Sequence, residues 1–192
     1  HLETQQERTL TESWNLGNIA WSPDSRWIAF DRYDENYNAD VFVVRVPEFA
    51  TPTPDAEPKQ EPAGAGDALD DAPVVYNISR HPRNDFAPSW SADGRALVFL
   101  SERETDVLNI CHVWLRREDY ERTRADREEE EDDKHDAPKK ADEKKEPLRV
   151  EIDLDDIHLR VRLVTRYAAG VQEAVVAPDG EQIAYRSAYQ GQ

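Results

Sequence analysis

The chain has 192 residues, 34% of them charged and 38% hydrophobic, with a formal net charge of −17. So negative a chain excludes a phosphate-backbone binder, which needs clustered Lys and Arg, and an anionic membrane surface is excluded on the same ground. The single cysteine, Cys111, rules out an intrachain disulfide and a paired-cysteine zinc site, and no apolar run approaches the roughly 18 residues of a membrane span.

The first ten residues, HLETQQERTL, do not have the pattern of a signal peptide. Residues 9–16, entered through the short run RTLT, read as the last strand of a preceding unit. A first full unit covers 17–80, with strands predicted in GNIAWS, RWIAFDRY, DVFVVRV and VVYNIS, separated by Pro-Asp-Ser and Asp-Glu-Asn turns. It is interrupted at 47–73 by a stretch rich in Pro, Ala and acids, without apolar periodicity, which reads as an extended or disordered excursion. A second unit covers 85–166 with strands in DFAPSWS, RALVFLS, LNICHVWL and RVRLVT. Its insertion, 118–147, is a mixed charge run that reads as a solvated excursion, helical or disordered. The segment 171–192 holds the first two strands of a third unit, in QEAVVAP and EQIAYRS.

The units share a motif. WSPDSRWIAF, WSADGRALVF and VAPDGEQIAY place an acid, Asp24, Asp93 and Asp179, in the turn between the first two strands. The spacings of 69 and 86 residues exceed the roughly 40–45 of a four-stranded propeller blade, and removing the insertions brings both near that length. Runs such as Val41-Phe42-Val43-Val44 are apolar on both faces, which suits sheets sandwiched between neighbours. The expected fold is therefore all-β: blades of four antiparallel strands in a partial β-propeller, with two complete blades and flanking strands. An incomplete ring leaves edges and faces uncovered, so the chain is expected to be a piece of a longer protein.

The motif residues are expected to be structural. Trp21 and Trp90 would fill the space between adjacent blades, and Asp24 and Asp93 would accept backbone N–H groups in the turn. Gly94 and Gly180 would supply a positive φ there, with Ser25 in the glycine's place in the first unit. No catalytic, cofactor or metal residue is assigned. Ser22 and Ser91 sit in the blade turn, and no G-x-S-x-G elbow is present. Cys111 and His112 are adjacent on a strand, so their side chains point to opposite faces and a dyad is disfavoured. Asp153, Asp155, Asp156 and His158 lack the glycine of a calcium loop. The alternation of Leu148, Val150, Ile152 and Leu154 predicts a strand with its acids in solvent. His81 and His135 are expected to be exposed, and Asn77-Ile78-Ser79, a glycosylation sequon, falls inside a predicted strand.

The repeated WSPDS-RWIAF, WSADGRALVFLS and APDGEQIAYRS resemble the PD40 repeat of TolB-like and tricorn-type β-propellers, over most of the ordered chain. NISRHPRNDFAPSWSADG resembles the crossing from an outer strand to the next inner strand in these propellers. PLRVEIDLDDIHLRVRLVT, after its charged run, is similar to the corresponding segment of bacterial tricorn-like peptidases of the S41 class. The resemblance implies a non-catalytic propeller that passes peptides or unfolded segments to a serine-peptidase domain outside this chain. The remaining blades and that domain are then its partners, with homo-oligomerisation open and neither nucleic acid nor membrane insertion expected. A TolB-like envelope scaffold and the propeller cap of a prolyl-oligopeptidase-like hydrolase are the alternatives. Acidity and the lone cysteine fit both the bacterial periplasm and the cytoplasm, with the periplasm placed first.

Overall fold

The computed structural model describes residues 5, 7–47, 73–104, 106–122, 147–165, 170–177 and 182–187. Two of its sheets have four antiparallel strands in chain order. The first is built from β1 (Leu16–Trp21), β2 (Trp27–Tyr33), β3 (Ala39–Arg45) and β4 (Val75–Asn77). The second comprises β5 (Asp85–Trp90), β6 (Ala96–Ser101), β7 (Asn109–Trp114) and β8 (Val161–Leu163). A third sheet has two strands, β9 (Val171–Val176) and β10 (Ile183–Ser187). The first strands of successive sheets, β1, β5 and β9, are neighbours, so the sheets stack face to face with these strands at one side.

The apolar-on-both-faces strands are buried on both faces. In β3, Val41 and Val43 look toward the second sheet, while Phe42 and Val44 pack with Phe30 on the opposite side. Between the first two sheets lie Ala29, Val41 and Val43 from one and Trp90, Leu97, Phe99, Cys111 and Val113 from the other. Between the second and third lie Val98, Leu100, Ile110 and Val171.

The connection from β4 to β5 crosses from the outer edge of one sheet to the inner edge of the next, held by polar side chains. Asp40 accepts bonds from the Ser79 hydroxyl (2.8 Å), the Asn77 amide (2.9 Å) and the His81 N–H (3.1 Å). Asp85, fully buried, pairs with Arg103 at 2.7 Å, and the same guanidinium donates to the Ser79 carbonyl. A buried carboxylate is tolerable because it has this charged partner.

A second polar tie joins the first two sheets. The inner strands β1 and β5 each carry a register irregularity, between Leu16 and Ile19 and between Phe86 and Ser89. Such bulges release backbone N–H groups from the ladder. Oδ1 of Asp31, a residue only 2% exposed, accepts the N–H of Asn18 (3.1 Å) from one bulge and of Ala87 (2.9 Å) from the other. Gly17 makes room, since a Cβ there would overlap Oδ2 of Asp31.

Three expectations need correction. Residues 7–15 form no strand, because no described strand lies beside them to complete a ladder. Leu10 nevertheless packs on Phe30, Phe42 and Val44. Residues 148–154 form no strand either, although the alternation is present: Val150, Ile152 and Leu154 face the core while Glu151, Asp153 and Asp155 are exposed. Their N–H groups go elsewhere, Val150 to Asp24 Oδ2 at 2.7 Å and Asp153 to the Leu115 carbonyl at 2.9 Å. The 118–147 insertion opens on a short helix, α1 (Arg117–Glu121), whose Asp119 is buried against Arg95. Residues 48–72 and 123–146 lie outside the described residues. A 3-10 helix, Ile157–Arg160, leads into β8. Its buried Arg160 donates to backbone carbonyls, those of Trp114, Leu115, Asp153 and Asp155.

Replacing Asp31 with Asn should destabilise the protein by roughly 1 kcal/mol, because the Asn18 and Ala87 backbone donors lose a charged acceptor. Chemical denaturation with fluorescence of the buried tryptophan detects this; an unchanged midpoint would remove Asp31 from the joint.

Candidate functional site

The repeated turn is built the same way in the first two sheets. In the first, the Ser22 hydroxyl donates to Asp24 Oδ1 (2.6 Å) and accepts the Trp27 N–H (2.9 Å), and Asp24 Oδ1 also accepts the Arg26 N–H (3.1 Å). In the second, the Ser91 hydroxyl accepts the Ala96 N–H (2.9 Å) and Asp93 accepts the Arg95 N–H (3.0 Å). Ser25 and Gly94 both have positive φ, 60° and 71°. A side chain at Gly94 would also meet Val150 Cγ2 at 2.6 Å. Asp179 and Gly180 lie outside the described residues, but the flanking bond from Ala177 N–H to the Gln182 carbonyl (2.8 Å) matches those closing the other two turns.

The tryptophans of the motif part company. Trp90 is 9% exposed and donates its indole N–H to the Ala20 carbonyl at 3.0 Å, in the joint between the first two sheets. Trp21 is 56% exposed, and no described sheet faces it.

The reactive side chains are committed to structure. Ser22 and Ser91 are buried, with their hydroxyls bound inside the turns. Cys111 is buried between the sheets, and burial pushes its thiol up to about 11, far from a thiolate nucleophile at neutral pH. His112 lies on the other face of β7, edge-on to Trp114 with ring centroids 5.4 Å apart. Asp153 accepts the Arg117 N–H (2.8 Å) and Asp156 adopts a left-handed conformation at the start of the 3-10 helix. Among the described residues no three His, Cys, Asp or Glu side chains group to hold a metal. His81 is half-buried rather than exposed, its ring nitrogen accepting the Arg83 N–H. The sequon amide of Asn77 is engaged by Asp40 and by the N–H groups of Ser79 and Arg80. His135 lies outside the described residues.

What the first sheet does present is a pair of exposed aromatic rings at one end. Trp14 and Tyr37 meet edge to face at 5.7 Å, and both are more than half exposed. Asp34 fixes the 34–38 turn by accepting the N–H groups of Asn36 (2.8 Å) and Asn38 (2.9 Å), which holds Tyr37 at a positive φ. The Asn38 bond chiefly keeps the Asp34 carboxyl below its ordinary value. The sequence reading missed this pair, and it also missed Asp31; the signals were an Asp-Glu-Asn turn carrying a tyrosine and a lone acid inside an apolar strand.

No protein-family model matches the chain, and no curated protein matches it. Among solved structures, "The structure of putative TolB from Agrobacterium tumefaciens" is similar at a TM-score of 0.53 and 14% identity, over 94% of this chain and 41% of that one. The chain thus spans less than half that protein's length, and at this identity the likeness is one of fold. Stacked antiparallel sheets with neighbouring inner strands, together with this likeness, make the chain a partial β-propeller of two complete four-stranded blades with flanking strands.

Burial raises the Asp24 pKa, but the Ser22 hydroxyl, the Val150 and Arg26 N–H groups and the Arg26 charge outweigh it and hold the group below its ordinary 3.8. Its stabilising contribution is therefore present above that value and lost as the pH falls through the lowered one. Asp24→Asn should cost about 1 kcal/mol at neutral pH and flatten the acid limb of a melting-temperature profile. Ser25→Gly should raise stability by about 1 kcal/mol by relieving the left-handed strain, whereas Gly94→Ala should lower it. Thermal melts of the two variants test this, and a destabilised Ser25→Gly would contradict it.

Proposed function

We propose that this chain is a non-catalytic β-propeller segment that binds other polypeptides. The observation that carries this reading is the exposed Trp14–Tyr37 pair, held out by the Asp34 turn, on a chain in which Ser22, Ser91 and Cys111 are buried. Aromatic side chains that bury large area for few rotatable bonds are the residues that dominate protein interfaces. A net charge of −17 directs the preference toward neutral or basic segments.

A finer reading rests on the resemblance of residues 147–165 to tricorn-like peptidases. In it the propeller handles peptides for a serine-peptidase domain outside this chain, whereas a TolB-like scaffold would contact folded partners. Fluorescence anisotropy separates the two, with labelled unfolded casein as one ligand and a labelled compact basic protein as the other. Trp14→Ala or Tyr37→Ala should weaken whichever binding occurs several-fold. The chain alone should leave the casein intact, and Ser22→Ala, Ser91→Ala and Cys111→Ala should make no difference. Reproducible cleavage abolished by one of these three substitutions would overturn the non-catalytic assignment.

A further inference from the structure

Residues 148–154 run across the joint between the first two blades without joining either sheet. The two halves of this strap are held differently. From Asp153 onward the chain is fastened to the second blade: the Asp153 N–H donates to the Leu115 carbonyl (2.9 Å), the Asp153 carboxylate accepts the Arg117 N–H (2.8 Å), and Arg160 binds the Asp153 and Asp155 carbonyls. Residues 148–152 are tied to the first blade through the Val150 N–H, which donates to Asp24 Oδ2 at 2.7 Å. Leu148, Arg149 and Glu151 are exposed and Ile152 is half-buried, whereas Val150 is enclosed.

The place that Val150 fills is made by the repeated turns. A Cβ on Gly94 would stand 2.6 Å from Val150 Cγ2 and 3.5 Å from Pro23 Cγ, so the valine side chain occupies a slot that the glycine keeps open. Neither wall takes its shape from the strap. The Ser22 hydroxyl and the Arg26 N–H hold the Asp24 carboxylate through Oδ1, and the Gly94 N–H donates to the Ser91 carbonyl (2.9 Å). With residues 148–152 withdrawn, the turns keep an acceptor, Asp24 Oδ2, beside an open slot. One residue fits both, giving its N–H to the carboxylate and a β-branched side chain to the slot. Two contacts then read the residues that follow: Arg116, also paired with Glu118, lies 3.8 Å from the Glu151 carboxylate, and Ile152 packs on the core between the blades. The period of two in an extended chain sends the acid outward and the apolar pair inward.

We propose that this cradle between the first two blade turns is a binding site for an extended polypeptide segment, and that residues 148–152 are its internal, displaceable occupant. The segment it takes carries a β-branched apolar residue, then an acid, then a second apolar residue, as Val150, Glu151 and Ile152 do. Binding is an exchange. Residues 148–152 turn outward about Asp153, whose bonds to the second blade stay in place, and the incoming segment takes over Asp24 Oδ2 and the slot at Gly94. Backbone bonds with pockets for alternate side chains are the means by which extended peptides are recognised in general. A tethered occupant competes at an effective concentration on the order of millimolar, so it keeps the site closed to weak ligands. The Asp24 turn precedes β2 and the Asp34 turn follows it, so the cradle lies at the end of β2 away from Tyr37 and is a second site, separate from the aromatic pair.

Val150→Cys in the full chain provides the test, because Cys111, buried between the blades, serves as an internal reference. The reaction of each thiol with a small disulfide reagent is followed by mass spectrometry and expressed relative to its rate in the unfolded chain. The introduced thiol should react roughly 10-fold faster than Cys111 or more, since local opening of 148–152 leaves the blades packed. A capped RVEIDL peptide at about 1 mM, matched to the tethered competitor, should raise the introduced thiol's rate several-fold and leave Cys111 unchanged. The same peptide with aspartate in place of its valine should have no effect. Gly94→Ala, which fills the slot, should cancel the response to the peptide; Asp24→Asn, which should weaken it, takes its place where that variant does not fold. Should Val150→Cys itself not fold, hydrogen exchange of the Val150 N–H in the wild-type chain, with and without the peptide, reads the same opening. Two thiols that react at one rate, an introduced thiol indifferent to the peptide, or a response that survives Gly94→Ala would each overturn the proposal. Trp14→Ala should alter none of these rates, so the cradle is tested apart from binding at the aromatic pair.

Discussion

The arrangement of the blades turns on one buried carboxylate. Where the first two sheets pack face to face, the inner strand of each carries a bulge-like register irregularity. A bulge frees N–H groups from the ladder, and a donor left without an acceptor costs free energy. Asp31 resolves the conflict for both strands at once, by accepting Asn18 from its own sheet and Ala87 from the next. Its position dictates the glycine at 17, since any side chain there would occupy the volume of the carboxylate. Apolar packing around Trp90 brings the blades together, and Asp31 fixes how they are set against each other.

The large insertions are compatible with this frame because their roots are tied down independently. The return of the second insertion lies across the first joint, where Val150 binds Asp24 and packs beside Gly94. Arg160 then fastens the following turn to the end of β7 through carbonyls. Burial pulls the pKa of this guanidinium down, opposed by the nearby Asp153, and four carbonyl acceptors take the place of a buried counter-ion. The turn motif thus has a second task beyond its own blade: in the first unit its aspartate holds a segment 126 residues away.

The same economy explains why so few polar groups are left for chemistry. Hydroxyls, carboxylates and amides at the blade turns and crossings are spent on backbone donors that the short strands leave over, and the thiol is enclosed between sheets. Among the exposed side chains of the described residues are aromatic and apolar ones: Trp14 and Tyr37 at one end, Ile19 and Trp21 on one face, Val175 on the other. Exposed aromatic and apolar side chains of this kind are the basis of the proposed binding of polypeptides.

The local sequence determined the strands, the turn acid with its left-handed neighbour, and the order of four strands per sheet. Strands and turns depend on alternation and turn chemistry within about a dozen residues, and the strand order on the recurrence of that pattern along the chain. Only the tertiary structure decided the rest. The alternating run at 148–154 became an extended strap because its N–H groups found Asp24 and Leu115 instead of a neighbouring strand. Two tryptophans at the same position of a repeated motif ended with opposite exposures, because what buries each is the sheet beside it and not its own sequence. The aromatic pair at 14 and 37 was invisible for the same reason: its members are 23 residues apart and meet only when β1 and β2 have paired. A sequence specifies periodicity and local turns, whereas which faces stay open depends on which sheets stand next to one another.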